Sequence, residues 1–320
     1  MTTTPNQTQT PNNKPKRVEG ILLLDKPAGI TSNLALQKVK RLFRAKKAGH
    51  TGSLDPLATG LLPLCFGEAT KFSSYLLESS KQYHVIAKLG IKTTTADAEG
   101  EVIETRPVPA LTKESIEAVL AQFRGDIQQI PSMFSAIKHQ GQPLYRLARQ
   151  GIEVERQARP VSIYRLELEA MTEDTLTLDV FCSKGTYVRN LVEDLGEALG
   201  CGAHVIVLRR LSVGPYCADQ MVTLEELEST EKPLESYLLP VDTAVSHWPA
   251  ITLTEASSFY IRQGQPVMHL QQEPVNSFVR LFSKEGIFIG IGQVQDDGMI
   301  APRRLIATKF QKTEKVVEGV

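Results

Sequence analysis

Residues 49–60 read Gly49-His50-Thr51-Gly52-Ser53-Leu54-Asp55-Pro56-Leu57-Ala58-Thr59-Gly60. Three glycines, a proline and two threonines in twelve positions predict a tightly shaped loop rather than a helix or a strand. No Gly-Lys-Ser/Thr follows the glycines, so this is not a P-loop, and Gly286 to Gln295 lacks the third glycine of a dinucleotide fingerprint. Charge around the loop is lopsided. Between Asp25 and Asp55 there is no acidic residue, whereas Lys26, Lys38, Lys40, Arg41, Arg44, Lys46 and Lys47 fall in that interval, with His50 beside them. Asp55 is thus a lone carboxylate closing a basic segment, where nearby positive charge keeps it ionised and lets a polyanion approach. An Asp-Pro turn behind a solvated helix fits the same residues. The chemistry alone leaves an enzyme acting on nucleic acid through an aspartate, or a nucleic-acid binding module.

Outward from the loop, 320 residues are enough for two domains. With 42% hydrophobic and 22% charged residues the composition is globular, and 36 basic residues against 36 acidic ones exclude a uniformly basic coat, though not a local basic face. Four scattered cysteines (Cys65, Cys182, Cys201, Cys217) make neither a disulfide framework nor a C-x-x-C zinc pair. Residues 1–17 form a polar Thr/Asn/Gln/Pro tract, expected to be a disordered tail, and no apolar run reaches the ~18 residues of a membrane span. A cytoplasmic protein is expected.

Ile21 to Leu24 is a short apolar run of the kind buried in a sheet, followed by a turn at Asp25 to Gly29. Ser32 or Asn33 can cap a helix to about Arg44, with Leu36, Val39, Leu42 and Phe43 on its apolar side. Thr112 can cap another that Gly125 follows. Tyr164, Leu166 and Leu168 alternate as in a strand, as do Leu176 to Cys182. That second strand runs through Gly185-Thr186 into a helix bearing Val188, Leu191, Val192, Leu195 and Leu199, so Tyr187 and Arg189 fall where strand hands over to helix. Strands and helices mix without a regular βαβ repeat or an internal repeat, which favours an α+β fold. After Leu239-Pro240 the texture changes to one short helix (Thr254 to Arg262) and three short strands between Phe278 and Ala307. We place a main domain over 18–241, a small β-rich domain over 242–312, their junction between Asp242 and Pro249, and a tail over 313–320.

The loop at 49–60 resembles the signature of the TruB-type pseudouridine synthases, G-H-x-G-x-L-D-P-x-A-x-G. Further blocks of that family stand in order: Asp25-Lys26-Pro27-x-Gly29-x-Thr31-Ser32, Lys81-Gln82-Tyr83 before Ala87-Lys88-Leu89-Gly90, Gly185-Thr186-Tyr187-Val188-Arg189, and Ala203-His204 through Leu208-Arg209-Arg210-Leu211. The resemblance spans Val18 to Ala307 and is nearest to the stand-alone bacterial branch. It implies the pseudouridine synthase fold with a PUA-like RNA-binding domain at the carboxy terminus, whose basic edge would be Arg303, Arg304 and Lys309. It implies conversion of uridine to pseudouridine at position 55 in the T loop of tRNAs, without metal or cofactor, by a monomer with no obligate protein partner and no membrane association. Asp55 aligns with the catalytic aspartate, Arg189 with the arginine that pairs with it, and Tyr83 with the tyrosine that stacks on the target uracil. His50, Tyr187 and Leu208 align with residues around the flipped-out nucleotide. Lys26 and Lys40 to Lys47 would hold phosphates, and residues 128–151 resemble an insertion that closes over the RNA loop. The rival readings are a tRNA-binding or tRNA-folding protein with a vestigial catalytic loop, and a relative guided by a small RNA and partner proteins.

Overall fold

The computed structural model describes residues 14–135, 137–268 and 273–307. The amino-terminal tract through residue 13, Lys309 and the tail from 313 lie outside the described residues. The apolar run at Ile21 to Leu24 forms β1 (Gly20–Lys26), and its four side chains are at most 2% exposed because the strand is covered on both faces. Then come α1 (Ser32–Leu42), β2 (Ala48–His50), β3 (Thr59–Phe66), α2 (Ser73–Glu78) and β4 (Lys81–Leu89). A hairpin of β5 (Ile91–Thr93) and β6 (Val102–Thr105) precedes α3 (Lys113–Leu120) and β7 (Gly125–Gln129). A smaller hairpin, β8 (Lys138–His139) and β9 (Gln142–Pro143), leads to the short α4 (Leu144–Ala148). The larger unit is completed by β10 (Arg159–Met171), β11 (Thr175–Cys182), α5 (Val188–Ala198), β12 (Ala203–Val213), β13 (Tyr216–Cys217), β14 (Val222–Thr223) and α6 (Leu224–Ser229).

Apart from the two hairpins, these strands make one mixed sheet whose main path runs β14-β1-β3-β12-β4-β11-β10-β7, with β2 paired to β3 and β13 to β12. The β1–β14 and β3–β12 contacts are parallel and the other neighbours antiparallel, as an α+β fold requires. On one face Leu22, Leu24, Val85, Leu178 and Val205 pack under α1, α3 and α5 in the main core. On the other face Ile21, Leu23 and Leu61 pack with Phe72 and Leu76. Period-2 alternation in a strand sends successive side chains to these two cores, and so a continuous apolar run is stable here.

A second sheet holds β15 (Ala250–Thr252), β16 (Val267–Met268), β17 (Phe278–Phe282), β18 (Phe288–Val294) and β19 (Met299–Leu305), with α7 (Glu255–Arg262) after β15. Its order is β15-β17-β18-β19-β16, around a small core of Ile251, Val279, Leu281, Ile289 and Ile300. It docks on the larger unit through aromatic rings. Trp248 lies 5.0 Å from Tyr75 and 4.9 Å from Phe278, and Phe288 lies 5.6 Å from Phe72.

Three local expectations are corrected. The cap of α1 is Thr31, whose side chain accepts from the Leu34 N–H, because the Ser32 hydroxyl is committed elsewhere. Lys16, assigned to the tail, pairs with Ala45: its N–H donates to the Arg44 carbonyl and its carbonyl accepts from Lys46, so the unpaired backbone there is satisfied. The glycine-rich stretch is a loop only in its middle. Gly49 and His50 belong to β2 and pair with Cys65 and Leu64, and Thr59-Gly60 begin β3.

Gly60 explains the difference. It sits at φ +96°, opposite Arg210 in the β3–β12 pairing, and a Cβ there would fall 2.3 Å from the Arg210 carbonyl oxygen. This glycine serves close approach of two strands rather than a turn. Gly60→Ala is therefore expected to destabilise the fold by at least about 2 kcal/mol in chemical denaturation; an unchanged midpoint would show that the two strands can separate without cost.

Candidate active site

Asp55 is presented by the loop between β2 and β3, and the loop is held from beneath by polar side chains. The Ser32 hydroxyl donates to the Leu54 carbonyl (3.0 Å) and accepts from the Leu54 N–H (2.7 Å). The Gly29 N–H donates to the Pro56 carbonyl at 2.9 Å. Lys26 is fully buried, and its ammonium donates to the carbonyls of Pro27 (2.8 Å), Ile30 (2.7 Å) and Pro56 (3.3 Å). Burial pushes that ammonium down to about 8, with Asp55 pulling it back up. Lys26 therefore braces the loop from inside. Its expected role as a phosphate ligand is corrected, since no phosphate reaches a side chain enclosed by three carbonyls.

The Asp55 carboxylate meets Arg189 through two contacts, Nε to Oδ2 at 2.9 Å and Nη2 to Oδ1 at 3.2 Å. Such a two-point hold fixes both the position and the plane of a carboxylate. Arg189 is the second residue of α5, and Tyr187 is the N-cap. The buried Gln129 clamps that corner: its amide donates to the Tyr187 carbonyl (3.0 Å) and its carbonyl oxygen accepts from the Tyr187 N–H (2.8 Å). The remaining donors of Arg189 go to Asp97 Oδ2 (3.3 Å), the Thr95 carbonyl (2.8 Å) and the Phe134 carbonyl (3.0 Å). The Arg189 side chain is only 5% exposed, whereas that of Asp55 keeps 38%. The anionic oxygen is presented and its cation is enclosed.

One guanidinium thus serves two carboxylates. Burial pushes the Asp55 carboxyl above its ordinary value; Arg189 and Lys26 oppose this, and Asp97 adds to it. Asp97 is itself 3% exposed and accepts from the Thr95 hydroxyl and, at 3.1 Å, from the Glu99 N–H. The sequence reading missed Asp97, which lies in the Thr-rich turn after β5 and matches no motif.

Asp55, Tyr83, Tyr187, Arg189 and Leu208 line one cavity of about 290 Å³. Tyr83 and Leu208 are less than 10% exposed and supply its flat aromatic and aliphatic walls. Lys81 and Arg210 line the same cavity and were also missed as site residues. Alternation along β4 and β12 was the available signal, for Lys81 is in phase with Tyr83, and Arg210 with Leu208. His50 lies elsewhere. It lines an adjoining cavity of about 580 Å³ with Thr31, Asn33, Tyr145 and Arg149, and the two cavities share Asp55, Phe134 and Arg189. Burial and Arg210 both hold the His50 imidazole below its ordinary value, and its buried Nδ1 has no hydrogen-bond partner among the described residues. Phe134 brings the 128–151 segment against both cavities, and Tyr145 and Arg149 bring it against the second.

Chemically, the first cavity offers walls for a planar ring and an oriented carboxylate at its edge. A carboxylate so placed can attack an electron-poor carbon or stabilise positive charge on it. Among the described residues no group of three or more His, Cys, Asp or Glu is placed to hold a metal ion, and no helix is long and apolar enough to cross a membrane.

Comparison with known proteins points the same way. The profile for the TruB family pseudouridylate synthase (N terminal domain) matches residues 40–188. Those for the tRNA pseudouridylate synthase B C-terminal domain and for pseudouridine synthase II TruB, C-terminal, match 189–246 and 249–306. A tRNA pseudouridine synthase B of Coxiella burnetii (strain RSA 493 / Nine Mile phase I) is 58% identical over 294 residues, covering 90% of this chain and 95% of that protein. Another, of Stutzerimonas stutzeri (strain A1501), is 58% identical over 297 residues, 91% of this chain and 97% of that protein. In fold, the chain is similar to one in an H/ACA RNP bound to a substrate RNA containing 2′-deoxyuridine, with a TM-score of 0.68, 21% identity, and coverage of 90% and 85%. It is similar to one in an archaeal box H/ACA sRNP complex at TM-score 0.67, 23% identity, and coverage of 90% and 86%.

The shared guanidinium makes a measurable prediction. In carboxyl-carbon NMR, Asp55 should titrate above the ordinary aspartate value, and Asp97→Asn should lower its midpoint. Removing the second carboxylate takes away a repulsion and frees Arg189 for Asp55, and both act in that direction. A midpoint that stays put or rises would show that the two carboxylates do not share the arginine.

Proposed function

The chain belongs to the TruB family of pseudouridylate synthases, and on that footing we propose that it converts uridine to pseudouridine in tRNA, at position 55 of the T loop. The observation that carries this reading is the two-point hold of Arg189 on a half-exposed Asp55 at the edge of a cavity shaped for a planar ring. In the reaction the N1–C1′ bond of the uridine breaks, the base turns, and C5 rejoins C1′. The product is an isomer of the substrate, so the balance calls for no co-substrate. Asp55 faces C1′ as nucleophile or counter-charge, and Arg189 keeps it ionised and oriented. Tyr83 and Leu208 enclose the base, and Tyr187 forms the wall beside Arg189.

A base inside a folded loop must leave its stack before it can enter so enclosed a cavity. The adjoining cavity, lined by His50 and Arg149, is the place for the backbone on either side of the flipped nucleotide, with the 128–151 segment closing over it. Exposed Lys46 and Lys47 beside the loop would meet phosphates, as Arg303 and Arg304 would on a PUA-like unit from about 242 onward. The enzyme would act as a monomer.

Asp55→Asn keeps size and shape but removes the anionic oxygen. Binding of a T-stem-loop RNA should survive within about tenfold, while turnover should vanish. Tritium at the uridine C5 reports the reaction directly, because the new glycosidic bond displaces that hydrogen. Wild-type protein should release it once per target uridine with chelator present. Release by Asp55→Asn at the wild-type rate, or none by the wild type from any tRNA, would overturn the reading in favour of an RNA-binding protein.

A further inference from the structure

The 128–151 segment, which lines the second cavity through Tyr145 and Arg149, is rooted on the start of α5. Four hydrogen bonds tie residues 129–134 to that start. Gln129 makes two with the backbone of Tyr187 (2.8 and 3.0 Å), the Asn190 amide donates to the Ile130 carbonyl (3.0 Å), and Arg189 Nη2 donates to the Phe134 carbonyl (3.0 Å). The same Nη2 donates to Asp55 Oδ1. Next along the chain, the Ser135 carbonyl accepts from the Tyr145 N–H at 3.1 Å. A continuous run of contacts therefore leads from the second cavity to the nitrogen that orients the Asp55 carboxylate.

Gln129 is the only buried residue of β7, 2% exposed at the end of that strand. Tyr187 caps α5 without a side-chain hydrogen bond, and the Gln129 amide meets its N–H and its carbonyl together. A primary amide carries a donor and an acceptor side by side, so it satisfies both backbone groups as a neighbouring strand would. Gln129 lines neither cavity and so acts through Tyr187 and Arg189, not on the nucleotide. We propose that Gln129 is a positioning residue that fastens the root of the 128–151 segment to α5, so that seating of the outer segment on RNA is passed to the guanidinium that orients Asp55. This rests on the synthase reading. RNA held under the segment then raises the rate of the bound step, which a contact worth the same in ground and transition states would not do.

The test reads single-turnover release of C5 tritium from a T-stem-loop RNA at saturating enzyme. Gln129→Ala should slow release by about 100-fold while RNA affinity stays within about tenfold. Gln129→Glu reports on the bond itself. An ionised carboxylate can only accept and repels the Tyr187 carbonyl, whereas the protonated acid donates and accepts as the amide does. The other charged groups around this corner are Asp126 on β7, Arg159 opposite Gln129 on β10, and Arg189 with Asp55. All of these are common to variant and wild type, so the ratio of the two rates isolates the new carboxyl. That ratio should climb toward one as the pH falls from about 8 to about 5.5, and for Gln129→Ala it should stay flat. Arg149→Ala should slow the wild type but add no further loss to Gln129→Ala, because both act through one tie. If the Gln129 variants do not fold, Asn190→Asp, which breaks the next bond of the tie, decides by the same ratio. A ratio flat with pH for the carboxyl variant, or an Arg149→Ala loss that is absent in wild type or equal in both backgrounds, would overturn the proposal alone. A wild type that releases no tritium would overturn the synthase reading as well.

Discussion

Arg189 is one buried guanidinium with two carboxylates on it, and the site is organised around that imbalance. Asp55 and Asp97 compete for a single guanidinium, and of the two carboxylates it is that of Asp55 that solvent reaches. The acceptors that hold Arg189 in place come from two distant parts of the chain: the Thr95 carbonyl and the Asp97 carboxylate from the turn after β5, and the Phe134 carbonyl from the 128–151 segment. The Gln129 clamp on Tyr187 fixes the α5 start from which the side chain is launched. Loop, hairpin turn, insertion and helix must all be in place for the carboxylate to point at its target. This is the geometric condition for preorganised electrostatics.

The second constraint is the two-sided sheet. Because β1 and β3 are covered on both faces, the small β-rich unit is not an appendage. Its Phe288 and Ile291 complete the core that includes Phe72 and Leu76, and its Phe278 stacks on Trp248, which meets Tyr75 edge-on. The neighbouring Leu77 lines the Asp55 cavity, and its carbonyl accepts from Lys81. The small unit is packed against the helix that shapes one wall of the cavity.

Most of the scaffold was legible in the sequence, because it rests on local patterns. The apolar run of β1, the alternation of β11 and the apolar stripe of α5 each report burial in a regular element. The pairing of Asp55 with Arg189, 134 residues apart, rested on family resemblance, since no spacing rule joins a loop to a distant helix start. What escaped falls into two kinds. Asp97 stands in a turn whose polar composition looks like solvent-facing loop, and only the tertiary fold shows that its carboxylate is buried. Lys26, Lys81 and Arg210 were hidden by their charge, since lysine and arginine in a nucleic-acid enzyme suggest phosphate contacts, while these three spend their donors on buried carbonyls. For Lys81 and Arg210 the strand alternation pointed inward, and period outranks residue type when the strand is certain.

The central claim is that the Asp55 cavity serves one uridine in tRNA. Quantitative mapping of pseudouridine in total tRNA, from cells with and without the protein, addresses it most directly. The account predicts that position 55 of the T loop reads as unmodified uridine without the protein and as pseudouridine with it, while other pseudouridines are unchanged. Pseudouridine persisting at position 55 in its absence, with the loss falling at another position, would contradict it.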